Sequence, residues 1–319
     1  MLGFLFRRTI QAIVVILGVV LIVFVLSQLI PGGECKAVLG PKATIGNCVH
    51  FNRLNGLNLP VWDQFYHYVV GLLHGNLGYS YKFNQGVTAV IKERLPKTLV
   101  LVGTATVVAL IISIPLGIFQ VVRRNRPSDY VATGFSFMFY AMPSFLLGTL
   151  LIIWFAFDLK WFPVSPPSTG SAWEIFSNPR AFFLPVITLA AVTIAAFSRY
   201  MRSSMMDALT EDYVRTARAK GASNRRVIYG HALRNALIPI LTLLGLSLPA
   251  IVSGAVITED VFNYPGMGQL TVYAASNSDI PLVLGTTLVV TVATVIGSLL
   301  ADLLYAIADP RIRFGSTGS

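Results

Sequence analysis

Charge is what this sequence is shortest of. Asp, Glu, Lys and Arg together make up 12% of its 319 residues, half the roughly 25% typical of a soluble domain. Cysteine is nearly absent, with two residues, and there is no Gly-X-Y repeat, which excludes disulfide scaffolds and collagen. The four histidines, at 50, 67, 74 and 231, are scattered and give no zinc-ligand spacing. No Gly-Lys dipeptide occurs, so the chain has no G-x-x-x-x-G-K-[ST] phosphate loop. H-E-x-x-H, G-x-S-x-G and S-x-x-K are also missing, and with them the common metallohydrolase and serine-nucleophile arrangements. No catalytic residue, metal site or cofactor is expected in this chain.

Hydrophobic residues take up the difference, at 55%, and the mean hydropathy is +0.69. A membrane-crossing helix needs about 20 mostly apolar residues. Six stretches qualify: 9–30, 98–122, 130–157, 181–198, 236–258 and 281–307. The fourth is the shortest and can extend through Arg199 and Met201. None alternates like a barrel strand, so the expected fold is an all-α integral membrane protein with six transmembrane helices. Arg7 and Arg8 before the first stretch mimic a secretory leader. Its length exceeds the about 7–15 residues of a leader's apolar core, and Pro31-Gly32-Gly33 offers no small-x-small cleavage site. It reads as an uncleaved span.

Lys and Arg set the orientation. With the N-terminus inside, 15 of the 24 fall in cytoplasmic segments, although the first outer loop alone is 67 residues long. Both termini are therefore expected in the cytoplasm. The same rule accounts for the net charge of +10, and no nucleic-acid partner is expected. The chain divides into a first span at 1–30, an extracytoplasmic loop at 31–97 and a five-span core at 98–313. That core contains a cytoplasmic region at 199–235, and 314–319 reads as an appended tail.

The outer loop holds both cysteines, Cys35 and Cys48, on the oxidising side of a loop-like stretch. A disulfide and two free thiols are the alternatives. Further on, Trp62, Phe65, Tyr66, Val69, Leu72 and Leu73 fall on one helical stripe, with Asp63, Gln64, His67, Gly71 and His74 opposite. The stripe is too short to span, which suits a helix lying on the outer membrane surface. His67 and His74 read as wet-face residues rather than metal ligands.

Inside, Thr210-Glu211-Asp212 resembles a helix N-cap followed by acids. Arg215, Arg218 and Lys220 gather toward the far end, and Gly221 supplies the stop. Ser223 can cap a second helix running into the fifth span. A short, capped helix of this kind can dock into a cleft on a cytosolic protein; a merely basic loop is the alternative.

The run from Tyr213 to Gly221, continuing through His231-Ala-Leu-Arg-Asn-Ala-Leu-Ile-Pro239, resembles the E-A-A-x-x-x-G motif of ATP-binding cassette importer permeases. Arg215, Thr216, Ala217 and Gly221 take its Glu, Ala, Ala and Gly positions. The first two depart from that consensus and are similar to the dipeptide/oligopeptide/nickel branch. Gly75-Asn-Leu-Gly78-Tyr-Ser80, Arg94-Leu-Pro-Lys-Thr98, Val261-Phe-Asn-Tyr-Pro265-Gly-Met-Gly268, Asp279-Ile-Pro281 and Asp309-Pro310-Arg311 resemble further landmarks of that family, in the same order.

The resemblance implies a type I importer permease bundle in the bacterial cell membrane. Its implied partners are a second permease chain, two cytosolic ATPase subunits or domains, an extracytoplasmic peptide-binding protein and membrane lipid. ATP and magnesium would be held by the ATPases. It implies coupling through Arg215, Thr216, Ala217 and Gly221, and a conduit lined by the fifth span, with Ser247, Ser253 and Gly254 as candidates. Close helix packing explains such small residues equally well. The last outer loop, with Tyr264, Met267 and Tyr273, is expected against the binding protein or the conduit mouth; packing on its own helices is the alternative. Cargo reads as di- or oligopeptide, with nickel or haem as family alternatives. A proton-coupled secondary transporter is the rival class. Asp302, the one acid well inside a span, is the sole relay candidate and lies close enough to Asp309 to reach the inner interface.

Overall fold

The computed structural model describes residues 2–29, 33–40, 43–167, 170–253 and 255–308. Asp309-Pro310-Arg311, Gly254 and the side chains of Ser253 and Asp302 lie outside the described residues.

The first helix, α1 (Leu2–Gln28), sits at the edge of the bundle. Only 11% of its most apolar window is buried, and it packs against α15 (Ile280–Ala308). The outer segment then folds into short helices, α2 (Gly33–Leu39) and α3 (Ile45–Leu54), where a loop was expected. Thr44 starts α3 by accepting the Asn47 N–H at 3.3 Å. Cys35 and Cys48 form a disulfide between the two, with Cα atoms 5.4 Å apart. In α4 (Val61–Leu73) the apolar stripe divides. Phe65 turns onto Phe24 of α1, with ring centroids 5.2 Å apart. Trp62, Tyr66 and Leu73 stay exposed, a face suited to the headgroup level.

A small hairpin, β1 (Tyr79–Ser80) and β2 (Gln85–Gly86), pairs antiparallel with Tyr79 opposite Gly86. It leads into α5 (Val87–Val122), which starts well before residue 98. Thirty-six residues at 1.5 Å each give about 54 Å, so its first turns stand outside a hydrocarbon core of about 30 Å.

The expected third span is not a straight helix. It breaks into α6 (Pro127–Ala141) and α7 (Ser144–Leu151), and a π-helical continuation carries α7 on through Ile152–Asp158. The two parts meet at 103°. Pro143 has no N–H to continue the ladder, and Met142 before it is extended at φ −79°, ψ 125°. A capping box of Ser171 and Glu174 starts α8 (Ala172–Phe176). Five helices among the described residues are long and apolar enough to cross a membrane, or six if the bent pair counts as one span.

At the centre lies α9 (Pro179–Thr210), N-capped by Asn178, with 56% of its most apolar window buried. It packs on α5, α6, α7 and α12 (Leu233–Ser253). Apolar contacts along it form two cores. One gathers Leu101, Ala105, Leu184, Ala190, Phe262 and Tyr264; the other gathers Ile118, Met201, Met205, Ala232, Ala236 and Ile240. Beyond α9 come α10 (Asp212–Ala219) and α11 (Asn224–Arg226), whose chain passes through a π-helical stretch, Val227–Ala232, into α12. The fifth span ends before residue 258: α12 stops at Ser253, and α13 (Val256–Val261) and α14 (Met267–Ser276) close the outer end.

Candidate functional site

On the cytoplasmic side, α9 does not stop before Thr210 but runs through it, so Glu211 rather than Thr210 is the N-cap of α10, and it makes no side-chain cap bond. The other end of α10 is tightly specified. Gly221 has φ +78°. Its N–H donates to Arg218 O at 2.9 Å, and the Ala222 N–H donates to Ala217 O at 3.0 Å. This is the Schellman pair of bonds, in which the left-handed residue is most easily glycine. Ser223 then accepts the Arg226 N–H at 3.4 Å and starts α11.

The helix rests on a core of its own. Val214, Ala217 and Val227 are buried together, with Leu209, Tyr213 and Ala222 packed around them. Of the four residues aligned with the E-A-A-x-x-x-G motif, Ala217 therefore faces inward, while Arg215, Thr216 and Gly221 are exposed. Thr216 donates its hydroxyl to Asp212 O at 2.9 Å. Arg215 lies 3.6 Å from Asp212, with both side chains mostly in solvent, where such a pair contributes little. Arg218, Lys220, Arg225 and Arg226 are exposed around it. The result is a basic platform held rigidly on the end of α9.

A buried ion pair fastens α9 to α6. Asp129, 2% exposed, receives Arg202 Nη2 at 2.9 Å. Arg202 Nη1 donates to Thr133 Oγ1 at 2.7 Å, the Thr133 hydroxyl donates to Asp129 Oδ1 at 3.2 Å, and the Asn125 N–H donates to Oδ2 at 3.2 Å. Every oxygen of the carboxylate thus has a donor, the condition under which a buried charge pair holds.

At the outer end of the bundle an acid with no motif of its own ties three helices together. Glu259 is fully buried. Its Oε1 accepts the Thr98 hydroxyl at 2.9 Å and its Oε2 accepts the Gln269 N–H at 3.0 Å. Burial raises its carboxyl above the ordinary range, opposed by donors from Gln269, Thr98, Gly268 and Ala255. A Cβ on Gly266 would run into this carboxylate, so a larger residue there has to push Glu259 off its donors. Tyr264 donates its hydroxyl to Lys97 O at 2.7 Å. Ser80 of the hairpin bonds Asp279 at the start of α15, and both side chains are buried. The legible signal was an acid at the very end of an apolar run, seven and nine residues before two glycines.

Two of the three residues expected to meet a binding protein are withdrawn by this closure. Tyr264 and Met267 are completely buried, because the Pro-Gly turn folds Tyr264 onto α5 and α9 and Met267 onto α5 and α15. Only Tyr273 is exposed, at 43%, edge to face with Phe83 at 5.3 Å. Residues 267–276 form helix α14 rather than a loop. Ser247 is half-buried, and its hydroxyl is occupied by Leu244 O at 2.7 Å.

Residues 109–314 match the family described as binding-protein-dependent transport system inner membrane component, and residues 1–102 match its N-terminal part. An oligopeptide transport system permease protein of Bacillus subtilis is 37% identical across 98% of this chain and 100% of its own length. A dipeptide transport system permease of Escherichia coli K12 is 35% identical, covering 98% and 99%. A di/tripeptide permease of Pseudomonas aeruginosa is 36% identical over the same shares. Among solved structures, the MetNI methionine ABC transporter in inward-facing form aligns with TM-score 0.52 at 16% identity, covering 69% of this chain and 96% of that one. At that identity the likeness concerns the fold.

Proposed function

Because the chain belongs to the family of binding-protein-dependent transport system inner membrane components, we propose that it forms half of the membrane conduit of an ATP-driven importer of di- and oligopeptides. The observation that carries this reading is its similarity to peptide permeases at 35–37% identity along essentially the whole chain. A second permease chain, cytosolic ATPases holding ATP and magnesium, and an extracytoplasmic binding protein complete the assembly, in a bacterial cell membrane.

The geometry supports one route for the drive. Docked ATPases would meet the exposed face of α10, whose other face is packed on Val227 and Leu209. A displacement there would pass to α9 through the Schellman turn and the small core that joins them. In turn α9 is joined to α6 by Arg202–Asp129, and it packs on α5 and α13 at the outer end. Motion at the platform can therefore bias the outer closure between two arrangements, which is what alternating access requires.

Purification from its native host under mild detergent should bring down a second permease and ATPases. The reconstituted assembly should accumulate a labelled dipeptide only with ATP and the binding protein. Accumulation driven by a proton gradient in the isolated chain would overturn the reading in favour of a secondary transporter.

A further inference from the structure

A cleft of about 480 Å³, open to solvent, lies on the outer face beside the Glu259 cluster. Arg94 of α5 and Asp260 of α13 both line it, together with Gln269, Asn277 and the ring pair Phe83 and Tyr273. The Arg94 Nε is buried without a hydrogen-bond partner. Its neighbour Glu93 is taken by Lys97, whose Nζ lies 3.0 Å from Glu93 Oε1. Among the described residues neither Arg94 nor Asp260 belongs to an ion pair.

The cavity lining thus offers a half-buried guanidinium whose Nε lacks a partner and an exposed carboxylate outside any ion pair, with side-chain amides and aromatic edges beside them. A short peptide with free ends has the complementary chemistry: a carboxylate suited to the guanidinium fork, an ammonium, and amide groups between. We infer that this cavity is an outer subsite for free-ended short peptides, in which Arg94 takes the terminal carboxylate and Asp260 the terminal ammonium. The inference rests on the peptide-importer reading above. It adds a place in this chain where cargo is read by its ends, independent of side-chain identity.

The test uses the whole complex with its binding protein in proteoliposomes, with labelled Ala-Ala, its C-terminal amide and its N-acetyl form as probes. Arg94→Gln should lower Ala-Ala uptake roughly tenfold, the scale of one lost charge-assisted hydrogen bond. It should also abolish the preference for the free carboxylate over the amide. Asp260→Asn should abolish the preference for the free ammonium over the N-acetyl form, and Arg94→Lys should restore part of what Gln removes. In the unaltered complex, a diazirine-bearing dipeptide should label residue 83 or 273, a readout that does not depend on how the variants assemble. Variants that keep the wild-type preference ratios, or labelling that misses both positions, would overturn the subsite while leaving the importer reading intact. A wild-type complex that moves no peptide at all would overturn both.

Discussion

The Thr98 hydroxyl donates to Glu259 Oε1 at 2.9 Å and accepts the Met267 N–H at 2.7 Å. One side chain thereby joins α5, α13 and α14, across 161 residues of sequence in the first bond and 169 in the second. Both partners are buried, so neither bond competes with bulk water. The outer closure is built around this hydroxyl.

Thr98→Val keeps the shape and removes both bonds. The Met267 N–H and one carboxylate lone pair would be left without partners, at about 1–3 kcal/mol for each unsatisfied group. The purified complex should melt at a lower temperature with Val and near the wild-type temperature with Ser. A Val variant as stable as wild type would remove the hydroxyl from its assigned role.

Glu259 should give the closure a pH dependence. Burial raises its folded pKa, so the folded protein keeps this proton at pH values where the unfolded chain, with a pKa of about 4.3, has lost it. The stability this group contributes is greatest below that unfolded value, declines as pH rises toward the folded value, and is flat beyond. Thermal melts of wild type should show the decline above about pH 4, and melts of Glu259→Gln should lack it. Parallel slopes in the two proteins would count against the assignment.

Arg202→Met strands the buried Asp129 carboxylate, which should destabilise the protein by about 3–5 kcal/mol. Adding Asp129→Asn removes the stranded charge and should recover much of that loss. A double-mutant cycle followed by thermal unfolding measures the coupling, and additive losses would show that the two residues act separately.

An added Cβ at Gly221 meets no atom within 4 Å beyond its own chain neighbours. The cost of Gly221→Val comes from φ +78°, of order 1–3 kcal/mol, and falls on the turn that holds α10. The variant should remain in the membrane yet lose bound ATPase or uncouple uptake from hydrolysis. Gly221→Asn, which tolerates the left-handed region, should do less harm. Arg215→Glu should weaken docking more modestly, because this side chain is exposed. Normal uptake and assembly in the Val protein would detach α10 from coupling.

Much of the cytoplasmic platform was legible in the linear chain. Gly221 after a basic turn and Ser223 two residues on are local signals, and local backbone chemistry decides how such a helix ends. Thr210 was misread because its capping competes with continuing α9, whose end is fixed by packing of Leu209 against the small core. The bend at Pro143 escaped hydropathy for a related reason. The residues on both sides are equally apolar, and only the backbone at Met142 and Pro143 reports the break.

Apolar run length, charge asymmetry and an ordered set of short motifs determined the membrane class, the orientation and the family, because each depends on composition along the chain and on transfer to lipid. Tertiary structure alone decided what the outer closure is made of. Tyr264 and Met267 are surface-like in sequence, next to Pro265 and Gly266, yet they are buried because the turn folds Tyr264 onto α5 and α9 and Met267 onto α5 and α15. Glu259 is an ordinary acid until Thr98 and the Gln269 N–H, brought from distant positions, surround it. Partners of a buried polar group are set by spatial neighbours, and no local pattern encodes which residue 161 positions away will supply the hydrogen bond.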